Sequence, residues 1–208
     1  MMYVPSIIIV DGDASATITN ITNSEFLYRA GITSNLICQT TFIFLVLALN
    51  RLLKGINEKH AKLMVSLVIA AVPIAFLLEL TQVAVLVLLN GSGYIKVFEP
   101  EQLNALAMVF LDIHKQGMMI VGIFWGLWLF PFGYLVIKSG FIPKILGIFL
   151  IIGCFAYLID STTALLIPRY SDISSRILTF GGVGEIIMIL WLLIMGVKEK
   201  QPDTSKTS

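Results

Sequence analysis

Apolar residues run along this chain in blocks of about twenty, separated by short polar segments. Roughly 20 mostly apolar residues in a helix cover the ~30 Å of a bilayer's hydrocarbon. Five stretches reach that length: residues 30–49, 63–89, a segment within 105–137, 145–167 and 177–197. Strands of a membrane barrel would alternate over about 10 residues. These longer runs therefore predict an all-α polytopic bundle with five spans. Residues 1–29 read as an extracytoplasmic N-terminal segment, 30–197 as the transmembrane bundle, and 198–208 as a disordered cytoplasmic tail.

Breakers fit the boundaries. Asn90-Gly91-Ser92-Gly93 ends the second span, Ser139-Gly140 makes a tight turn, and Pro168 closes the fourth span. Pro143 opens that span at a position where a missing N–H costs nothing. Pro73 predicts a kink in the second span. The third span is predicted as a long helix from near Pro100, bent at its end by Pro131, with Asp112, His114 and Lys115 near the membrane boundary.

Composition narrows the class. The chain is 57% hydrophobic and 13% charged, with mean hydropathy +0.91. A soluble domain carries about 25% charged residues, so this surface cannot be an ordinary aqueous one. A net charge of +1 and the lack of a basic stripe exclude nucleic acid as a partner. Cys38 and Cys154 both sit in apolar runs and read as buried, reduced thiols. Residues 7–10 are too short an apolar run, without a basic flank, for a secretory signal.

Basic residues give a direction. Arg51, Lys54, Lys59, Lys62, Lys138, Lys144, Lys198, Lys200 and Lys206 fall on one side; Arg29, Lys96, Lys115, Arg169 and Arg176 fall on the other. The richer side is expected to be cytoplasmic. The N-terminus is then outside and the C-terminus inside.

Polar residues inside the spans are the candidate site, because ionisable groups in hydrocarbon are costly. Glu79, Gln82, Asp160 and Glu185 lie in spans, with Asp112 and His114 shallower and Asn35 and Gln39 in the first span. Counted from the extracytoplasmic helix ends at 1.5 Å per residue, Glu79, Asp160, Glu185 and Gln39 lie roughly 10–15 Å deep. That common depth predicts an outward-facing polar cavity above an apolar plug. Asp112 and Lys115 are spaced i, i+3 and can pair. His60, in the basic loop, is expected to be solvated.

Three functions fit: a membrane protein binding a small ligand, ion or proton; a structural or partner-binding membrane subunit; and an intramembrane enzyme acting on lipid through Asp112, His114 and Glu185. Structural use of the polar groups is the plain alternative, since such side chains also hold helices together. The enzyme reading requires His114 within reach of a carboxylate. A structural or partner-binding subunit predicts a dry, filled interior with the carboxylates bonded to neighbouring helices, and a partner surface predicts small residues, or Gly122 and Gly126, facing lipid. Two histidines, predicted on opposite sides, cannot form a three-histidine zinc site or a bis-histidine haem. The chain has no nucleophile elbow, zinc-protease motif or phosphate loop. No cofactor and no resident metal are expected, although carboxylates suit a hard cation.

The segments FEPEQLNALAMVFLDIH (98–114) and GIFWGLWLFPFGYLVIKSGFIPKILGIFLIIG (122–153) resemble the bacterial domain-of-unknown-function family 4386. FIFLVLALNRLLKGIN (42–57) and VPIAFLLELTQ (72–82) share the resemblance. It implies a bacterial multi-pass protein of the inner membrane and supplies no catalytic residue. It also implies a further apolar helix before residue 3, so a sixth helix is expected to be missing from this chain.

Overall fold

The computed structural model describes residues 8–195 apart from 11, 92 and 94. Along it run α1 (Ala14–Asn23), α2 (Glu25–Leu53), α3 (Glu58–Leu89), α4 (Pro100–Leu127), α5 (Leu129–Ser139), α6 (Lys144–Leu166) and α7 (Ser171–Met195). Five helices are long and apolar enough to cross a membrane, with α4 and α5 together forming the third. The fold is an all-α bundle of a multi-pass membrane protein, and the described residues include no strand. The proposed tail, 198–208, lies outside the described residues.

Local chemistry sets the boundaries. Asp13 caps α1 by accepting from the Ala16 N–H at 2.8 Å, and Asn57 caps α3 through the His60 N–H at 3.1 Å. Pro100 opens α4, while the Gln102 side chain accepts the Glu99 N–H at 3.1 Å. The bend expected from Pro131 falls at Trp128. Proline has no N–H for the Leu127 carbonyl and its ring crowds that turn, so α4 stops and α5 restarts one residue later. Proline at 73 does not interrupt α3. Gly140 closes α5 with φ +73°, a left-handed conformation open to glycine.

The N-terminal segment is more ordered than a simple lead-in. It contains α1, and α2 begins at Glu25, ahead of the expected residue 30. Ile8, Ile18 and Ile21 bury against Tyr28, Ile32, Val85, Leu86, Ala107 and Leu111, closing one end of the bundle. The other half holds an apolar core built on Val46, Leu53, Met64, Val68, Leu129, Leu135 and Leu150. This matches the expected apolar plug. A small cluster of Ala71, Ala75 and Val121 lies apart from both.

The helices pack in series: α2 on α3, α3 on α4, α4 on α6, and α6 on both α5 and α7. Glycines make α6 the close-packed centre. A methyl group added at Gly147 would stand 2.6 Å from the Gly133 carbonyl oxygen, and one at Gly184 would stand 2.7 Å from Phe149 Cβ. Gly122 and Gly126 are buried against Ser161 and Tyr157 of α6. They do not face lipid, so that mark of a partner surface is missing. Large apolar side chains such as Phe44, Leu77, Phe180 and Leu193 are exposed, as hydrocarbon contact requires.

Candidate functional site

The polar residues do not form one layer around one cavity. They divide between two helix interfaces, and Asp112 belongs to neither.

The first cluster joins α2, α3 and α4. On α2, Tyr28, Ile32, Asn35 and Gln39 recur at spacings of four, three and four, which places them on one face. Tyr28 and Gln39 are buried and Asn35 is half-buried. Glu79 projects from α3 and is only 5% exposed. The Asn35 side-chain amide donates to Glu79 Oε1 at 3.2 Å. Glu79 Oε2 is buried and has no hydrogen-bond partner, and the same holds for the Tyr28 hydroxyl. Both Tyr28 and His114 lie within electrostatic range of the Glu79 carboxylate.

His114 completes this cluster from α4. Its Nδ1 lies 3.0 Å from the Leu78 carbonyl oxygen, and its Nε2 lies 3.1 Å from Gln82 Nε2. A carbonyl can only accept, so Nδ1 carries the proton. Nε2 pairs with the Gln82 side-chain amide, so both ring nitrogens are engaged by α3. Gly117, three residues on, lets this approach happen. An added Cβ there would collide with the Leu78 side chain, which would have to move aside.

The second cluster joins α6 and α7. Asp160, 7% exposed, accepts a 2.7 Å hydrogen bond from the Ser174 hydroxyl. Glu185 is half-buried and lies within electrostatic range of Tyr157. Ser161 is buried beside Gly122 of α4.

The structure therefore brings Glu79, Gln82 and His114 together, and Asp160 with Glu185 at a separate interface. Asp112 is exposed on α4, and the expected Asp112–Lys115 pair is not formed; both side chains point out of the bundle. Two residues from His114 on a helix, Asp112 is turned about 200° away from it. The open cavity is likewise corrected: Glu79 Oε2 and Asp160 are enclosed by packed helices. The enzymatic arrangement of Asp112, His114 and Glu185 is not assembled, since both nitrogens of His114 are engaged by Gln82 and Leu78. Among the described residues no three His, Cys, Asp or Glu side chains converge on a metal-ion position. Both cysteines are free thiols; Cys154 is buried, but Cys38 is exposed on α2. His60 is not solvated. It is half-buried and stacks on Tyr134 at 4.3 Å.

Sequence reasoning passed over Tyr28, Tyr157 and Ser174. Tyr28 carried a signal, since it stands at helical spacing from Asn35 and Gln39. Ser174 carried none, because a serine near a helix start reads first as a local cap, and its hydroxyl does also lie 3.0 Å from the Ser171 carbonyl oxygen.

The profile of the family described as "Domain of unknown function (DUF4386)" matches residues 1–196. The chain belongs to this family. An uncharacterized protein of Archaeoglobus fulgidus is 38% identical over 76 residues, covering 36% of this chain and 44% of that protein. The chain thus matches less than half the length of that relative. No solved structure matches.

Proposed function

We propose that this protein binds a small cation or a proton at the enclosed cluster of Tyr28, Asn35, Glu79, Gln82 and His114, in the manner of a transporter or a sensor. One observation carries this reading. The buried Oε2 of Glu79 lacks a hydrogen-bond partner, and so does the buried Tyr28 hydroxyl on α2. Buried polar atoms are nearly always satisfied, and leaving one unpaired costs about 1–3 kcal/mol. On this reading the unpaired Glu79 oxygen is accounted for by the proton or cation that it takes up.

A structural-subunit reading is favoured at α6–α7 alone. There Asp160 is satisfied by Ser174 and the helices touch through glycines. Asp160 and Glu185 are accordingly left out of the proposed site. The membrane on this reading is the inner membrane of a bacterium, with residues 51–62 and the C-terminus cytoplasmic by the excess of basic residues. The similar uncharacterized protein is archaeal, so the bacterial source rests on the proposal alone.

A lipid-soluble carbodiimide tests the reading, because it modifies carboxyls that take up protons in apolar surroundings. Applied to membranes containing the protein, it should label Glu79 well above Asp160 by peptide mass analysis. E79Q should lose that label while remaining folded. Equal labelling of Glu79 and Asp160 would leave no reason to single out this cluster.

A further inference from the structure

We infer that the outward face of α4 joins two copies of this chain in the membrane, through reciprocal Asp112–Lys115 ion pairs across a two-fold axis. This contact is independent of what binds at Glu79.

Depth is fixed by His114. Its ring lies 3.0 Å from the Leu78 carbonyl oxygen and 3.1 Å from the Gln82 amide nitrogen, so this turn of α4 is level with residues 78–82 of α3. Beyond that level, residues 83–89 of α3 are wholly apolar, and the Val83 and Val87 side chains are exposed. At 1.5 Å per residue that stretch rises about 10 Å further. Asp112 and Lys115 belong to the same turn as His114, so hydrocarbon extends past both.

Both side chains are exposed, as is Gln116. Asp112 and Lys115 are spaced i, i+3, yet among the described residues neither makes a salt bridge. Ionisable side chains in spanning helices almost always face the bundle interior or water, or pair with one another. Here they face outward and unpaired. A single copy thus turns a carboxylate, an ammonium and an amide toward lipid.

The charge pattern points to what covers this face. It carries one negative and one positive charge, about 4.5 Å apart along the helix axis. Copies inserted in the same direction are related by a two-fold axis along the membrane normal, and such a contact is self-complementary. The two α4 helices then run parallel, and each Asp112 lies within the reach of the lysine stem of the other copy's Lys115. Gln116, one turn from Asp112, stands on the same face and can donate to the same carboxylate. Ala105 and Val109 toward the start of α4, and Ile120 toward its end, are exposed on this side and supply apolar contact. A lipid headgroup would answer one of the charges only. A different protein would need a matching anion and cation at the same depth, whereas a second copy has both.

The test is disulfide cross-linking in native membranes, on a Cys38→Ala background because Cys38 is itself exposed. Ala105→Cys should give a dimer on mild oxidation, and Leu193→Cys, on an exposed face of α7, should not. Adding Asp112→Lys or Lys115→Asp to the Ala105→Cys protein should cut the cross-linked fraction at least about tenfold, since like charges then meet. Co-expressed with tags of different size, these two charge variants should cross-link to each other to within about twofold of the parent, because one copy then offers two cations and the other two anions. That recovery also shows both variants to be folded. Cross-linking that ignores both charge reversals would overturn the ion pairs, and so would losses that mixing does not restore. Cross-linking of Ala105→Cys to another protein instead would overturn the second copy as the partner. No cross-link in any form would overturn the contact, leaving the two side chains to reach lipid headgroups.

Discussion

Two buried carboxylates lie in spanning helices of this protein, and their neighbourhoods differ in kind. Asp160 is bonded by Ser174 at an interface where glycines bring α6 and α7 into backbone contact. Glu79 is held at one oxygen by Asn35 and left without a partner at the other. The residue type and depth are similar, so neither explains the contrast. What separates them is whether the protein satisfies the group by itself. A satisfied buried carboxylate is adequately explained as a link between helices. An unsatisfied one costs stability, and that cost is what the proposed site is meant to explain.

The comparison breaks most visibly at its glycines. Gly184→Val puts a side chain where Phe149 Cβ is 2.7 Å and the Phe149 backbone 3.0 Å from an added Cβ. Overpacking of this kind costs about 1–3 kcal/mol, and here backbone rather than a flexible side chain is in the way. We expect the upper end of that range, read as a lowered melting temperature in detergent. Gly182→Val, where an added Cβ meets nothing within 4 Å, should change little. If the two variants melt alike, the α6–α7 contact is not glycine-dependent.

A smaller loss should come from the Asp160–Ser174 bond. In a double-mutant cycle of Asp160→Ala and Ser174→Ala, the coupling should be stabilising and about 0.6–1.7 kcal/mol, as for other hydrogen bonds between membrane helices. A coupling near zero would remove the satisfied half of the contrast.

The smallest effect should have the opposite sign. Tyr28→Phe in choline buffer deletes an unpartnered buried hydroxyl and should stabilise the protein, by about 1 kcal/mol. Destabilisation of that size would mean that the hydroxyl has a partner, and the cluster would then resemble the α6–α7 interface after all.

Much of this was legible in the sequence. The run lengths predicted the five long helices, and the breakers at Pro100, Pro131 and Ser139-Gly140 predicted where they start, bend and turn. The emptiness of one half in polar residues predicted the apolar core around Val46, Met64 and Leu150. Depth, however, is only one coordinate of a position in a bundle. Glu79, Asp160 and Glu185 share it, yet rotation about each helix axis and the order of packing send them to different interfaces. Rotation could have been read for α2, where Tyr28, Ile32, Asn35 and Gln39 mark one face. It could not be read for α3, whose apolar residues surround the helix and leave no stripe. Which helices touch was set by Gly117, Gly122, Gly126, Gly147 and Gly184, through close approaches that only a partner surface makes visible.

The double hold of His114 on α3 has a mechanical consequence. Because one imidazole ties both the Leu78 backbone and the Gln82 side chain, α3 and α4 behave as a single girder, clamped near mid-length. The α2 helix is attached to that girder differently: 22% of its apolar window is buried, against 56% for α4–α5, and its polar tie to the cluster is the Asn35–Glu79 bond. Loss of the Asn35 amide should therefore loosen α2 from the bundle while leaving the α3–α4 clamp at His114 in place.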